Sequence, residues 1–313
     1  MMKRSLLALA VGTLSLSAYA GSATVSGFTD ITYTNATDTS VFLANGEVDF
    51  AGKTDKASVN VDLDLSIGTG ANGGNLSGPG DSAVIEQAYF AYSGLPMVTV
   101  LGGVFNNPIG WEAEDAPDMY QVTKGQIYKI LDNQTRLYGN NIAGVAAAVD
   151  LMGMGSLTLA GLNDIGLQDS TNTTALDENS IAAVVNLTPM KGLGIEGGYV
   201  TQAGGVGYVY DANLTYSDFG ATVGLEYLGA ETTVDSAIGA TLNYMIMDDL
   251  GVTVRYEMIS YEAGGDDTTS VTGAVSYALA KNLTVLAEYT DVKRDFDSSA
   301  DSDAINLEFV ATF

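Results

Sequence analysis

The chain has 313 residues, with 38 Asp and Glu against 12 Lys and Arg, a formal charge of −26, and neither cysteine nor histidine. The two zeros exclude disulfides, thiolate or imidazole metal ligands and every histidine-dependent triad, and the acidity excludes a nucleic-acid partner. Yet 46% of the residues are hydrophobic, with 17 Tyr and only 5 Pro, so the chain folds and its carboxylates must face water.

The first element is a leader. Lys3 and Arg4 precede a short apolar run from Leu6 to Leu16, and Ala18-Tyr19-Ala20 supplies an A-x-A cleavage site. Residues 1–20 therefore read as a secretory signal peptide, and 21–313 as a single domain. The apolar run is too short to cross a bilayer, and no later segment approaches the roughly 20 apolar residues a transmembrane helix needs. Gly21, where a lipoprotein would carry Cys, marks no lipid anchor.

From there one unit repeats: about ten alternating residues, a tight turn, another ten, then a longer polar link. Its clearest instance is Val59-Asn60-Val61-Asp62-Leu63-Asp64-Leu65-Ser66-Ile67, in which every odd position is aliphatic and every even one polar. Side chains at a period of two lie on alternate faces of a strand. Similar runs fall near 23–34, 41–51, 57–67, 83–93, 97–105, 135–150, 156–164, 179–187, 193–203, 207–217, 220–229, 235–246, 251–262, 268–279, 283–292 and 305–313. Strand 6 and the stretch from 197 to 207 are rich in Gly and Ala and poorly phased, so 14 or 18 strands also fit.

Short turns at 52–55, 94–96, 153–155, 189–192, 217–220, 248–251 and 280–282 alternate with longer links at 68–82, 106–134, 165–178, 263–267 and 293–303. An outer-membrane barrel alternates in this way, with short periplasmic turns and long outer loops. The expected fold is all-β: a transmembrane antiparallel up-and-down β-barrel of about 16 strands in the outer membrane of a Gram-negative bacterium. Tyr33, Tyr92, Tyr208, Tyr216, Tyr244, Tyr261 and Tyr277 fall near strand ends, where interfacial girdles place aromatic rings.

Two local patterns carry no function. Gly68-Thr69-Gly70-Ala71-Asn72-Gly73 matches G-x-G-x-x-G, but Gly78-Pro79-Gly80 follows in place of the helix a dinucleotide site requires. The acidic stretch Asp291 to Asp303 resembles a calcium loop but has Ala300 where Gly, and Asn306 where Glu, are required, and reads as a solvated loop.

If the aliphatic positions face lipid, Asp30, Glu47, Asp49, Asp62, Asp64, Glu196, Asp211, Glu226, Glu257, Glu288 and Glu308 line the lumen, with Arg255 nearly the only base among them. Such a wall attracts cations or simply solvates a wide lumen. The link from 106 to 134 is the longest, holds the only Trp, and places Trp111, Glu112, Glu114, Asp115 and Asp118 ahead of Lys124 and Lys129. A loop this long is functional or disordered, and its apolar content argues against disorder. It reads as a constriction folded into the lumen, with Arg136 and Arg255 as partners, or as an external lid or intersubunit contact. In the terminal run, Ile305, Leu307, Phe309, Ala311 and Phe313 share one face; Phe309 and Phe313 are the expected assembly signal for the barrel-assembly machinery.

Glu86-Gln87-Ala88-Tyr89 leading through Gly102-Gly103-Val104-Phe105 to Pro108-Ile109-Gly110-Trp111-Glu112 resembles the β-barrel porins of the OmpL-like type over residues 84 to 150. Arg136-Leu137-Tyr138-Gly139 stands where that family commonly has a histidine-containing stretch. The resemblance implies a channel-forming barrel with no catalytic residues. Sixteen to eighteen strands leave an aqueous channel, whereas eight fill with side chains. The expected function is passive diffusion of small hydrophilic solutes, with cations favoured and no cofactor or enzymatic activity. The alternatives are a solute-specific channel and a structural or adhesive barrel with little conductance. Expected partners are outer-membrane lipid, lipopolysaccharide and, as one admissible assembly, a homotrimer.

Overall fold

The computed structural model describes residues 22–37, 39–65, 83–134, 140–163, 179–202, 207–231, 234–262, 265–296 and 300–313. The predicted signal peptide, the G-x-G-x-x-G stretch and Arg136 lie outside the described residues.

Sixteen strands form the wall: β1 (Ser22–Ala36), β2 (Thr39–Lys53), β3 (Ala57–Leu65), β4 (Ala83–Leu95), β5 (Val98–Asn106), β6 (Asn141–Asp150), β7 (Gly155–Asn163) and β8 (Asn179–Met190), then β9 (Leu193–Gln202), β10 (Gly207–Asp218), β11 (Ala221–Ala230), β12 (Val234–Met247), β13 (Leu250–Tyr261), β14 (Thr268–Ala280), β15 (Leu283–Arg294) and β16 (Ser302–Thr312). Each pairs antiparallel with its neighbours in sequence, and β1 pairs with β16 from Phe28↔Thr312 to Ala36↔Ala304, which closes the barrel. Closure leaves no edge strand, the condition for spanning lipid without unsatisfied backbone groups. The Phe313 amide extends the seam by donating to the Gly27 carbonyl at 3.0 Å.

The alternation read from the sequence is the alternation of the wall. In β13, Val254, Tyr256 and Met258 are exposed on the outer face while Thr253, Arg255, Glu257 and Ile259 are buried on the inner one. Tight hairpins fix the register at one rim. Phe219 and Gly220 both have positive φ, 50° and 78°, which gives the type I′ geometry that matches strand twist. The Asp218 carboxylate accepts the Phe219 amide at 3.0 Å, and glycine at the second central position carries no Cβ penalty.

Aromatic rings gather at the rims of the outer face, where Tyr199, Tyr208, Tyr210 and Tyr227 pack in series across β9, β10 and β11 with centroids 5.3 to 6.2 Å apart. Tyr261 departs from the girdle expected for it. It follows the parity of buried Ile259 and packs on the interior cluster.

Strands β6 to β10 show why their phase is hard to read. Ile142, Ala146, Leu162, Ala182, Val184, Val200 and Val209 are buried on the inner face, opposite outward residues that are themselves apolar. Both faces are hydrophobic because the lumen side is packed against protein. What packs there is the link between β5 and β6.

Candidate functional site

That link leaves and re-enters the wall at one place. The Asn107 amide donates to the Asn140 carbonyl at 2.7 Å, and the Asn107 Nδ2 to the Asn140 Oδ1 at 3.2 Å, so the stem is stapled at the rim. Beyond the stem the chain turns inward, and its return limb forms a helix, α1 (Gln126–Gln134), that the sequence reading treats as loop. The missed signal is the spacing of Ile127, Ile130 and Leu131, which puts all three buried side chains on one helical face.

Glycines on the inner wall receive the large side chains of the link. A Cβ at Gly198 would strike Ile109, one at Gly224 would overlap the Trp111 indole, and one at Gly239 would lie 3.0 Å from the Ile127 Cδ1. Ile109, Ile127 and Leu131 belong to a single interior cluster that runs from Ala91 of β4 to Ile259 of β13. Close packing of this kind tolerates little added volume.

Wall carboxylates then take the backbone amides of the link. Glu226 accepts from Trp111 at 3.0 Å, Glu257 from Ile127 at 3.0 Å, and Glu288 from Val122 and Thr123 at 2.7 and 3.0 Å. Glu196 and Asp211 face the Gly110 amide. Arg255 completes the seat: its Nη1 meets Glu112 at 2.9 Å and donates to the Thr123 carbonyl at 2.9 Å, while its Nε lies 3.3 Å from Glu257. Glu112 also accepts the Gly125 amide at 2.7 Å. The sequence-predicted Glu196, Asp211, Glu226, Arg255, Glu257 and Glu288 thus come together as the anchor of the loop.

The tip reaches the other side. Residues Ala116–Asp118 form a 3-10 turn beside β16, and the Asp115 carboxyl is hydrogen-bonded to Glu47 of β2. A segment that touches β11, β13 and β15 and also β2 of a closed ring crosses the interior. Within the tip, the Lys124 Nζ donates to the carbonyls of Ala113 and Glu114, and Tyr128 donates its hydroxyl to the Glu114 carboxylate. Burial pushes the Glu114 carboxyl up to about 7 despite the opposing pull of Lys124 and Tyr128. It raises Asp115 as well, and it lowers the Lys129 ammonium, with Arg255 adding to that effect.

Facing the tip stands a second group of sequence-predicted residues: Asp30 of β1, Glu47 and Asp49 of β2, Asp62 and Asp64 of β3 and Glu308 of β16. Glu47 is cross-strand from Asp64, and Asp49 from Asp62, pairings of like charge that oppose sheet formation unless something offsets them. Thr32 donates to Glu308 at 3.2 Å and Asn45 to Asp30 at 3.1 Å. Sequence reasoning missed one member, Glu86, which is 3% exposed. A register shift between Asp62 and Leu63 inserts an extra residue in β4 and turns Glu86 inward, against strict alternation.

A family model described as Gram-negative porin matches residues 5–297. No curated protein matches the chain in sequence. Among solved structures, the Salmonella typhi OmpF complex with daunomycin superposes with a TM-score of 0.73 at 12% identity, covering 94% of this chain and 98% of that one. The anion-selective porin from Comamonas acidovorans gives 0.67 at 12% identity, covering 94% and 100%. OmpT, an outer membrane protein of Vibrio cholerae, in its trimer form, gives 0.60 at 14% identity, covering 94% and 100%. At such identities the likeness is one of fold.

Proposed function

The chain belongs to the Gram-negative porins, outer-membrane channels built as closed barrels, and from that premise we propose that it passes small hydrophilic solutes and favours cations. The conducting path runs between the tip of the loop and the acidic wall of β1 to β4 and β16. The observation that carries this reading is the one-sidedness of that wall: seven carboxyl side chains (Asp30, Glu47, Asp49, Asp62, Asp64, Glu86, Glu308) face the tip, while Arg255 is already committed to Glu112 and Glu257. Fold alone does not set the sign, since the Comamonas acidovorans porin with the same architecture is described as anion-selective. Charge density on the path does.

Two unit charges about 4 Å apart interact by roughly 1 kcal/mol in water, and about 1.4 kcal/mol is tenfold in an equilibrium. Several carboxylates together favour potassium over chloride by on the order of fivefold to thirtyfold at low salt, shrinking above about 0.1 M as the Debye length falls below about 10 Å. The test is the reversal potential across a planar bilayer under a potassium chloride gradient. The wild type gives a cation-selective sign, and D62N/D64N a smaller potential. An anion-selective sign overturns the cation preference, and absence of conductance favours the structural or adhesive reading. The same proposal includes residues 1–20 as a cleaved leader, 21–313 as one barrel domain, Phe309 and Phe313 as the signal to the assembly machinery, and an outer face in lipid and lipopolysaccharide. A homotrimer draws support from the trimeric Vibrio cholerae neighbour.

A further inference from the structure

We propose that one arc of the rim of short hairpins is a lipid-anchoring surface, seated among the headgroups and upper acyl chains of the phospholipid leaflet that meets it, so that the barrel stands tilted toward that side. The inference rests on the reading of the outer face as lipid-facing. Seven tight hairpins among the described residues form this rim, and they divide into two unbroken arcs. The hairpins β4–β5, β6–β7, β8–β9 and β10–β11 end on Leu95, Met97, Met152, Met154, Met190 and Phe219, all exposed, with Phe219 at 93% and Met152 at 85%. The hairpins β12–β13, β14–β15 and β2–β3 end instead on Asp248-Asp249, Lys281-Asn282 and Lys53-Thr54-Asp55-Lys56. Met247, at the foot of β12, marks the border between the two.

Met97, Met152 and Phe219 stand at φ of 59°, 58° and 50°, the left-handed region in which Gly, Asn or Asp is the ordinary occupant and a bulky side chain is an outlier. The turns themselves do not require Met or Phe; what these residues add is apolar surface beyond the wall. That surface is continuous with the lipid face, because Tyr92, Val149 and Tyr216 are exposed outward at the feet of the same strands. The carboxylates of the arc are turned back on their own hairpins: Asp150 accepts the Gly153 amide at 2.7 Å, and Asp218 accepts the Phe219 amide at 3.0 Å and the Tyr216 hydroxyl at 3.4 Å. Lys191 follows Met190, and its long stem lets the ammonium reach lipid phosphates while the hairpin lies among apolar groups. Phe219 lies three residues past Tyr216. That step is about 10 Å along the strand and roughly 7 Å in depth at the tilt of barrel strands, while the headgroup layer is roughly 5 to 8 Å thick. An upright barrel with Tyr216 at the acyl boundary would therefore leave the Phe219 ring at the edge of water. Sinking this arc covers the ring, and the polar arc opposite rises into water.

The test exploits the absence of native cysteine. Single spin labels are placed at K191C in the apolar arc, at D55C and K281C in the polar one, and at V254C midway along the outer face of β13. Each is read in phosphatidylethanolamine–phosphatidylglycerol vesicles by its collisions with oxygen and with an aqueous nickel chelate present on both sides of the membrane. K191C is expected to meet the chelate severalfold less often than D55C and K281C. The variant M152N/F219N, which gives both turns a residue suited to positive φ, should bring K191C to the value of the other two. Heat-modifiable migration in gels establishes that each variant is folded. Equal exposure to the chelate at K191C, D55C and K281C overturns the anchor, and is the result that a periplasmic protein as the occupant of the arc would give in vesicles that lack it. An unchanged K191C in M152N/F219N overturns the role of the tips. If V254C is as open to the chelate as D55C, the lipid reading of the wall fails and the anchor with it, whereas V254C in lipid with K191C in water removes the anchor alone.

Discussion

At the scale of single residues, glycine on the inner wall does more than permit a bend. Gly224 exists as the space the Trp111 indole occupies, so Gly224→Val forces the ring off its seat at about 1 to 3 kcal/mol of overpacking. Because Trp111 is the only tryptophan, its fluorescence reports the docked loop directly. The substitution should red-shift emission and raise single-channel conductance, whereas Gly273→Ala, where nothing lies within 4 Å of an added Cβ, should change neither. Unaltered emission in Gly224→Val would separate the notch from the seating of the loop. Arg255 also takes on a different meaning from the one its sequence position suggests. Read as an isolated base on an acidic face, it opposes cations; placed between Glu112 and Glu257, it binds the loop, and removing it leaves two carboxylates without their counter-charge.

At the scale of elements, the link between β5 and β6 carries a titration of its own. Glu114 is raised from 4.5 to about 7 by burial, so the docked loop holds its proton more tightly than the undocked one. Stability of docking is then fully present below about 4.5 and declines as the pH rises through 7, the sign required when the folded state binds the extra proton. Hydrogen exchange of amides 111–128, corrected for its intrinsic pH dependence, should show stronger protection at pH 5 than at pH 8, and E114Q should reduce the difference, Asp115 carrying what is left. Equal protection at both values would exclude Glu114 as the titrating group. Deleting residues 110–122 should raise conductance and admit larger sugars in liposome swelling; an unchanged size cutoff would place the loop away from the path.

Elements were legible in the sequence to the degree that one face met water and the other lipid. Val59 to Leu65 reads without ambiguity for that reason, and all sixteen predicted runs correspond to strands. The phase fades at β6 and β9, where Ile142 and Val200 face the packed loop and the polar signal vanishes. The carboxylates of the inner face were legible as a set, but not their division. Nothing local distinguishes Glu226, which holds an amide of the loop, from Asp62, which faces its tip. That division depends on where a distant segment lands. Glu86 and α1 were hidden by the same assumption, a strict period of two across a bulge and no period at all across a link.

At the scale of the whole molecule, the seam between β1 and β16 joins the two ends of the chain. Removing residues 305–313 strips β16 of most of its pairing with both β15 and β1, leaving strand edges in a medium without water to satisfy them. Truncated protein should fail to appear as a heat-modifiable species in the outer membrane, and its appearance there would contradict the closed barrel.

The stapled stem between Asn107 and Asn140 has a mechanical consequence. Both limbs of the loop hang from one point on the rim, next to the pair Asn106↔Asn141 of β5 and β6, so the loop is a flap on a single hinge and not a strut built between two walls. Among the described residues, its release parts no strand pair. Extraction of the flap and rupture of the barrel are therefore separate events, each with its own threshold, and the weaker one leaves the cylinder whole.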